Sequence, residues 1–333
     1  MDEKYLGRLR ARVTRALNGR DIRAVHAEIR AIVGARNLIA TDEQAARARE
    51  ILLNPEEHDF TPPTPEELQA LEELVRALRP SVLSNDGRLD AIDPLAAPSF
   101  PAWQAFSDWV GDYLNSIGRI DMLPRDGILD DRNAIGTGFL VSTGLLATNR
   151  HVVDKITSGT RALATGQAVV RFRYEYNGGS SKSIRIRSVR GVHPFLDIAL
   201  LELEDEPAPT GAAVLPIDDG SVGAELSSDE GDDHSVVTIG YPMPDGFRNP
   251  IFAGPIFNGV YHVKRAAPGE IIGRAGDIIH HDCSTLGGNS GSPVISMAKR
   301  CVVGIHFSGE FLNRNEAVAA PPLRDFITNH GGV

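Results

Sequence analysis

From about residue 120 onward the chain breaks into short runs rich in Val, Ile, Phe and Thr, punctuated by Gly, Pro and Asp. Such punctuation restricts the fold to an all-β sandwich or barrel. The runs are GTGFLVS, AVVRFRYEY, SIRIRSVRGV, IALLELE, SVVTIGY, IFNGVYHV and CVVGIHF. About twelve strands fit into the roughly 210 residues available. A short helix over PLRDFITNH is predicted to close the chain.

The first ninety residues follow a different period. Apolar residues recur at steps of three and four through Tyr5, Leu6, Leu9, Val13 and Leu17, then Ile22, Val25, Ile29 and Ile32, which predicts amphipathic helices. Thr41 with Gln44, and Thr64 with Pro65 and Glu67, read as helix starts with capping boxes. Pro80 ends the last helix. The predicted organisation is multidomain, α followed by all-β: a bundle of about four helices over 1–80, a Pro-, Ser- and Asp-containing linker over 81–101, a docking helix over 102–119 and the β domain over 120–333. Trp103, Phe106, Val110, Tyr113, Leu114 and Ile117 form one stripe on the docking helix, which is read as packing.

A hydrophobic share of 42% with 23% charged residues is that of a globular chain. No run approaches a membrane span, and the acidic and arginine-rich start lacks the apolar core of a secretory signal, so a cytoplasmic location is expected. The net charge of -10 argues against nucleic acid as a partner. Residues 1–36 carry nine Lys and Arg against four Asp and Glu, and 37–90 carry five against twelve. These are read as solvated faces, with residues 1–90 the place for a protein partner or self-association. Cys283 and Cys301 are the two cysteines; free thiols are expected, and pairing between them stays open. His280, His281 and Asp282 lack a spaced set of four ligands, so they are read as solvated strand residues, and no metal or cofactor is expected. The acidic run Asp218 to Asp233 is read as an exposed loop.

The turn LGGNSGSPVIS, Leu286 to Ser296, holds Ser290 between glycines. By itself it is either a nucleophile's turn or only a turn, since Gly and Ser are ordinary turn residues. Acyl transfer by serine needs an imidazole to move its proton and a carboxylate to orient the imidazole. LLATNRHVVD supplies His151 after an apolar strand, and VHPFLDIALLEL supplies Asp197 before another. The order His, Asp, Ser is one of the triad orders. The spacings are 46 and 93 residues.

These segments, with VVGIHFSG, resemble the catalytic segments of chymotrypsin-like or trypsin-like serine proteases, in the bacterial branch that includes the glutamyl endopeptidases. The resemblance covers residues 120–333. It implies two six-stranded antiparallel barrels with the site in the cleft between them, and a protein or peptide substrate. It implies Ser290 as nucleophile, His151 as base and then acid, and Asp197 as the group that stabilises the imidazolium. The amides of Gly288 and Ser290 would form the oxyanion hole, and Phe307, Ser308 and Gly309 would pair with the substrate backbone. Many secreted relatives carry Asp where this chain has Asn289, and a buried Asp would require a cationic partner. Activation through a newly cut N-terminus is therefore not expected. Ser284 stands where trypsin has an acid, so an Arg or Lys preference is not supported. Thr285 and His306 match positions with which glutamyl endopeptidases bind an acidic side chain. Two readings stay open: Glu or Asp at P1, or a small or apolar P1 with His306 satisfied in the core. His193 is read as structural. The alternative to an enzyme is a catalytically silent protease fold that serves as a peptide-binding or signalling scaffold.

Overall fold

A computed structural model describes residues 3–17, 19–33, 41–53, 64–94, 96–124, 126–163, 167–178, 181–204, 211–227, 234–244, 256–310 and 314–331. The chain begins with helices α1 (Glu3–Leu17), α2 (Ile22–Val33), α3 (Asp42–Leu53) and α4 (Pro65–Ala77). Their apolar stripes, among them Leu9, Val13, Val25, Ala45, Leu71 and Leu74, meet in one buried cluster. Both capping boxes form. Gln44 N–H donates to Thr41 Oγ1 at 3.2 Å while Thr41 N–H donates to Gln44 Oε1 at 2.9 Å. Glu67 and Thr64 make the same exchange at 3.2 and 2.9 Å, so each pair satisfies two amides that a helix start leaves unpaired.

Residues 81–101, expected as a linker, are largely built into the β domain. Strand β1 (Val82–Asn85) pairs antiparallel with a strand at Arg265–Ala275, Val82 opposite Ala266, and β2 (Arg88–Leu89) folds back on it. Ser81, Val82, Ser84 and Phe100 are buried. Turn residues signalled the bends here, but composition carries no information about an open strand edge elsewhere in the chain. The docking helix is also shorter than expected. It divides into α5 (Trp103–Trp109) and α6 (Gly111–Leu114), with a helix-weakening glycine at the break. Ile117 already belongs to β3 (Ile117–Met122). The stripe does pack: Trp103, Phe106, Val110 and Leu114 share a buried cluster with Phe139, Ile239 and Ile295.

After β3 come β4 (Ala134–Ser142), β5 (Leu145–Thr148), α7 (Arg150–Ile156), β6 (Ala168–Phe172), β7 (Lys182–Val192) and β8 (Ala199–Leu203). They close a six-stranded barrel in the order β3-β4-β5-β8-β7-β6. Then follow α8 (Ser221–Ser227), β9 (Ser235–Gly240), β10 (Arg265–Ala275), β11 (Ile278–His281), β12 (Pro293–Ser296), β13 (Val302–Glu310), β14 (Arg314–Ala319) and α9 (Ala320–Asn329). Pairings β9–β10, β10–β11, β11–β14, β14–β13, β13–β12 and β12–β9 close a second six-stranded ring. The fold is thus the expected helical segment followed by two antiparallel barrels.

Three local expectations are corrected. IFNGVYHV is a helical turn and irregular chain, and the strand lies just beyond it in β10. Pro268 and Gly269 hid β10, because both are depleted in central strands, yet Pro268 sits opposite Val237. Gly269 is needed there: a Cβ would lie 2.6 Å from Cys283 N and 2.7 Å from Asp282 Oδ1. The acidic run from Asp218 is in part a helix start, with buried Asp218 accepting from Val222 N–H at 3.1 Å and Gly223 N–H at 2.8 Å; residues 228–233 lie outside the described residues. His281 and Asp282 are fully buried rather than solvated. The strand period could have signalled the histidine, since His281 shares a face with buried Ile279. Both cysteines are free thiols.

Candidate functional site

His151 stands in the first turn of α7, directly after β5, and Asp197 lies in the short connection between β7 and β8. Two hydrogen bonds join them. His151 Nδ1 lies 2.6 Å from Asp197 Oδ2, and the His151 backbone N–H donates to Oδ1 at 3.0 Å. Asn149 adds a third tie between the two loops, its Nδ2 donating to the Asp197 carbonyl at 2.7 Å. Burial pushes the Asp197 carboxyl up, but the His151 hydrogen bonds and charge outweigh it and hold the group below the usual carboxylate range. An ionised carboxylate at Nδ1 fixes the tautomer that leaves Nε2 as the proton acceptor.

His193 shapes the loop that carries Asp197. Its Nδ1 accepts from Phe195 N–H at 3.2 Å and Leu196 N–H at 2.9 Å, and its ring meets Phe326 edge-on. Burial lowers its pKa, followed by the charge of Arg150, which suits a neutral, accepting ring.

Ser290 lies in the turn before β12. The helix of His151 and this turn meet at Gly136, where a Cβ would lie 2.8 Å from Val152 Cγ2 and 3.1 Å from the Ser290 carbonyl. Among the described residues the Ser290 hydroxyl makes no hydrogen bond to His151. Thr137 of β4, which sequence reasoning missed, holds the turn from the other barrel. Its N–H donates to the Ser290 carbonyl at 2.8 Å, its hydroxyl donates to the Gly288 carbonyl at 2.7 Å, and it accepts from Tyr241 N–H at 3.2 Å.

The direction of the Gly288 amide follows from its peptide plane. The Gly287 carbonyl accepts from Met243 N–H at 2.6 Å, so in a trans peptide the Gly288 N–H points the opposite way. Gly288 has φ +86°, and a Cβ there would sit 2.3 Å from the Tyr241 carbonyl oxygen. Gly291 is equally constrained, at φ +89° with a Cβ position 2.0 Å from the Thr137 carbonyl oxygen. Both glycines are therefore imposed by close backbone approach.

The pocket candidates lie on the chain between β11 and Ser290, and on β13. Ser284 Oγ donates to the Arg79 carbonyl at 2.7 Å, so its hydroxyl is engaged with the helical segment. Thr285 Oγ1 donates to Asn315 Oδ1 at 2.9 Å. His306 is buried, and its Nδ1 lies 3.1 Å from His281 Nε2. Past His306, β13 pairs with β14, Ser308 opposite Glu316 and Gly309 opposite Asn315, whereas β12 reaches only as far as Ile305. Among the described residues no group of three His, Cys, Asp or Glu side chains could hold a metal ion, and no helix is long and apolar enough to cross a membrane. A carboxylate-oriented imidazole whose helix meets a serine turn is an arrangement able to carry acyl transfer.

Residues 136–305, just over half of the chain, match the family model of the trypsin-like peptidase domain. Among solved structures the chain is similar to the crystal structure of the serine endoprotease from Yersinia pestis, with 16% sequence identity and a TM-score of 0.45. The match covers 68% of this chain, which spans 66% of the length of that one, just under two thirds.

Proposed function

The chain belongs to the trypsin-like peptidase domain family, and on that premise we propose that it is a serine endopeptidase acting through Ser290, His151 and Asp197. The observation that carries this reading is the two-point bond between His151 and Asp197, at 2.6 and 3.0 Å. The substrate backbone adds along Phe307 to Gly309. Ser290 Oγ attacks the scissile carbonyl while His151 Nε2 takes its proton, and the protonated His151 then delivers that proton to the leaving amine. The amides of Gly288 and Ser290 receive the oxyanion. Water, deprotonated by His151, releases the acyl group. The Ser290 to His151 hydrogen bond forms in the substrate complex, where catalytic hydrogen bonds commonly tighten.

An acidic P1 residue suits the pocket. His306 is backed by His281, and an imidazole held in this way can donate its other ring N–H to a carboxylate. The helical segment over residues 3–77 is assigned to control of the peptidase. A fluorophosphonate probe tests the reaction: wild type labels and Ser290→Ala does not, whereas a folded wild type that resists labelling favours a silent peptide-binding scaffold. A peptide library tests the pocket, and cleavage after Arg, or indifference to His306→Ala, sinks the acidic preference.

A further inference from the structure

Asp282 is the first residue after β11 and heads the stretch that leads through Ser284, Thr285 and Gly288 to Ser290. Its carboxylate is fully buried and accepts four hydrogen bonds from three residues. Oδ1 accepts from Glu270 N–H at 2.7 Å, and Oδ2 accepts from Arg12 Nη2 at 2.6 Å and from Arg79 Nη2 and Nε at 2.9 and 3.2 Å. Arg12 belongs to α1 and Arg79 follows α4, and both are buried. Glu270 completes the cluster, with Oε1 3.6 Å from Arg79 Nη2. Two cations from the helical segment thus neutralise two carboxylates of the second barrel.

An apolar seam would attach the helices to the barrel as well or better, because desolvating charges opposes their attraction. What the ion cluster supplies is direction: a carboxylate with four donors has one orientation. The stretch behind it is held residue by residue. The Cys283 carbonyl accepts from Asn315 Nδ2 at 2.5 Å, Thr285 bonds Asn315, and the Gly287 carbonyl accepts from Met243. These anchors come from the barrels. Asp282 is also tied to the barrel through the Glu270 backbone of β10, while its Oδ2 and the Ser284 hydroxyl are held by Arg12, Arg79 and the Arg79 carbonyl.

We propose that Arg12 and Arg79 are positioning residues for catalysis, which by fixing Asp282 hold the 282–290 stretch in the register that forms the P1 pocket and aims the Gly288 amide. This rests on the serine endopeptidase reading above. The helical segment is then part of the working site and supplies its cations without cleavage of the chain. Removing the Arg12 charge takes away one of the anchors of Asp282 and loosens the stretch, so acylation slows and discrimination between P1 residues falls, even where the protein remains folded.

Arg12 is the cleaner handle, since Arg79 also bonds Ser284 through its carbonyl and covers the Phe100 ring. The experiment compares full-length wild type, Arg12→Met, Arg12→Lys and Ser290→Ala. It measures the second-order rate of fluorophosphonate labelling and kcat/KM over a P1 peptide series, at a temperature well below each thermal midpoint. Arg12→Met is expected to label at least ~10-fold more slowly and to lose P1 discrimination, with Arg12→Lys recovering most of both. Wild-type labelling and selectivity in a folded Arg12→Met protein overturn the proposal. Should Arg12→Met not fold, Arg12→Gln, which keeps a donor without the charge, is read by the same two outcomes. Failure of wild type itself to label would instead count against the peptidase reading.

Discussion

Replacing Gly288 by Ala is expected to remove most of the turnover while leaving a folded protein. The new Cβ would sit 2.3 Å from the Tyr241 carbonyl oxygen and 2.7 Å from Met243 Cγ, on a residue with φ +86°. Met243 could turn aside, but the Tyr241 oxygen belongs to the backbone at the end of β9, so the Gly288 peptide must move. The left-handed conformation alone costs about 1–2 kcal/mol with a Cβ present. Displacing the peptide also disturbs the Met243 to Gly287 and Thr137 to Gly288 hydrogen bonds, of 2.6 and 2.7 Å, each worth about 1 kcal/mol. A total of about 3–4 kcal/mol lowers stability measurably without unfolding a domain of ordinary stability. The catalytic loss is separate: if the Gly288 amide receives the oxyanion as proposed, kcat should fall about 10²–10³-fold with little change in KM. Steady-state kinetics on a peptide substrate, with a thermal melt of the same samples, measure both. Gly144→Ala is the control for strain: Gly144 has φ +71° with nothing within 4 Å of its Cβ position, so it should lose stability but keep kcat. A Gly288→Ala enzyme within about three-fold of wild-type kcat would refute the proposed oxyanion role of Gly288.

Asp197→Asn should lower kcat by about 10⁴-fold, since the amide favours the wrong imidazole tautomer. The Asp197 carboxyl titrates below its usual value in the folded chain, so the unfolded state takes up a proton first as pH falls. Its contribution to stability is present above the unfolded pKa and is lost as pH drops through the folded one; acid denaturation of Asp197→Asn should accordingly be shallower than that of wild type in this window. Lys264 is fully buried, donates to the Leu114 carbonyl at 2.5 Å, lies 3.4 Å from Glu175 Oε1, and is pulled down to about 8 by burial. Lys264→Met strands the Glu175 charge and should cost about 3–5 kcal/mol in denaturant unfolding, with Lys264→Met/Glu175→Leu recovering most of it. Burial raises the Cys283 thiol to about 12, so a thiol reagent at neutral pH should modify Cys283 only on unfolding, and equal reactivity of native and unfolded protein would contradict its burial.

The legible parts of the sequence are those whose physics is local. A capping box is written within four residues, and both were read with the correct partners. The turns carrying His151, Asp197 and Ser290 are local also, because a strand end or a glycine pair suffices to mark them. Thr137 was not legible: it is one threonine in a strand run, and only the approach of the second barrel gives its N–H and hydroxyl two carbonyls to hold, 151 residues away in the case of Gly288. Strand β10 was missed because the propensity argument against Pro268 and Gly269 is local, whereas the reason for Gly269, the close approach of Asp282 and Cys283, comes from the chain just after β11.

Arg12 shows how such distant requirements can still leave a trace. It lies between Leu9, Val13 and Ala16 on the buried side of α1, where a guanidinium without a carboxylate would be strongly destabilising. An arginine on an apolar stripe therefore demands a buried anion outside its own helix, and Asp282 meets that demand across 270 positions of sequence. Asn289 carries the complementary trace. It is buried in the turn that carries Ser290, and as a neutral amide it asks for hydrogen bonds rather than a cation. Cationic anchoring is thus absent at the residue before Ser290 and present seven residues earlier, at Asp282. There Arg12 and Arg79 of the helical segment provide it.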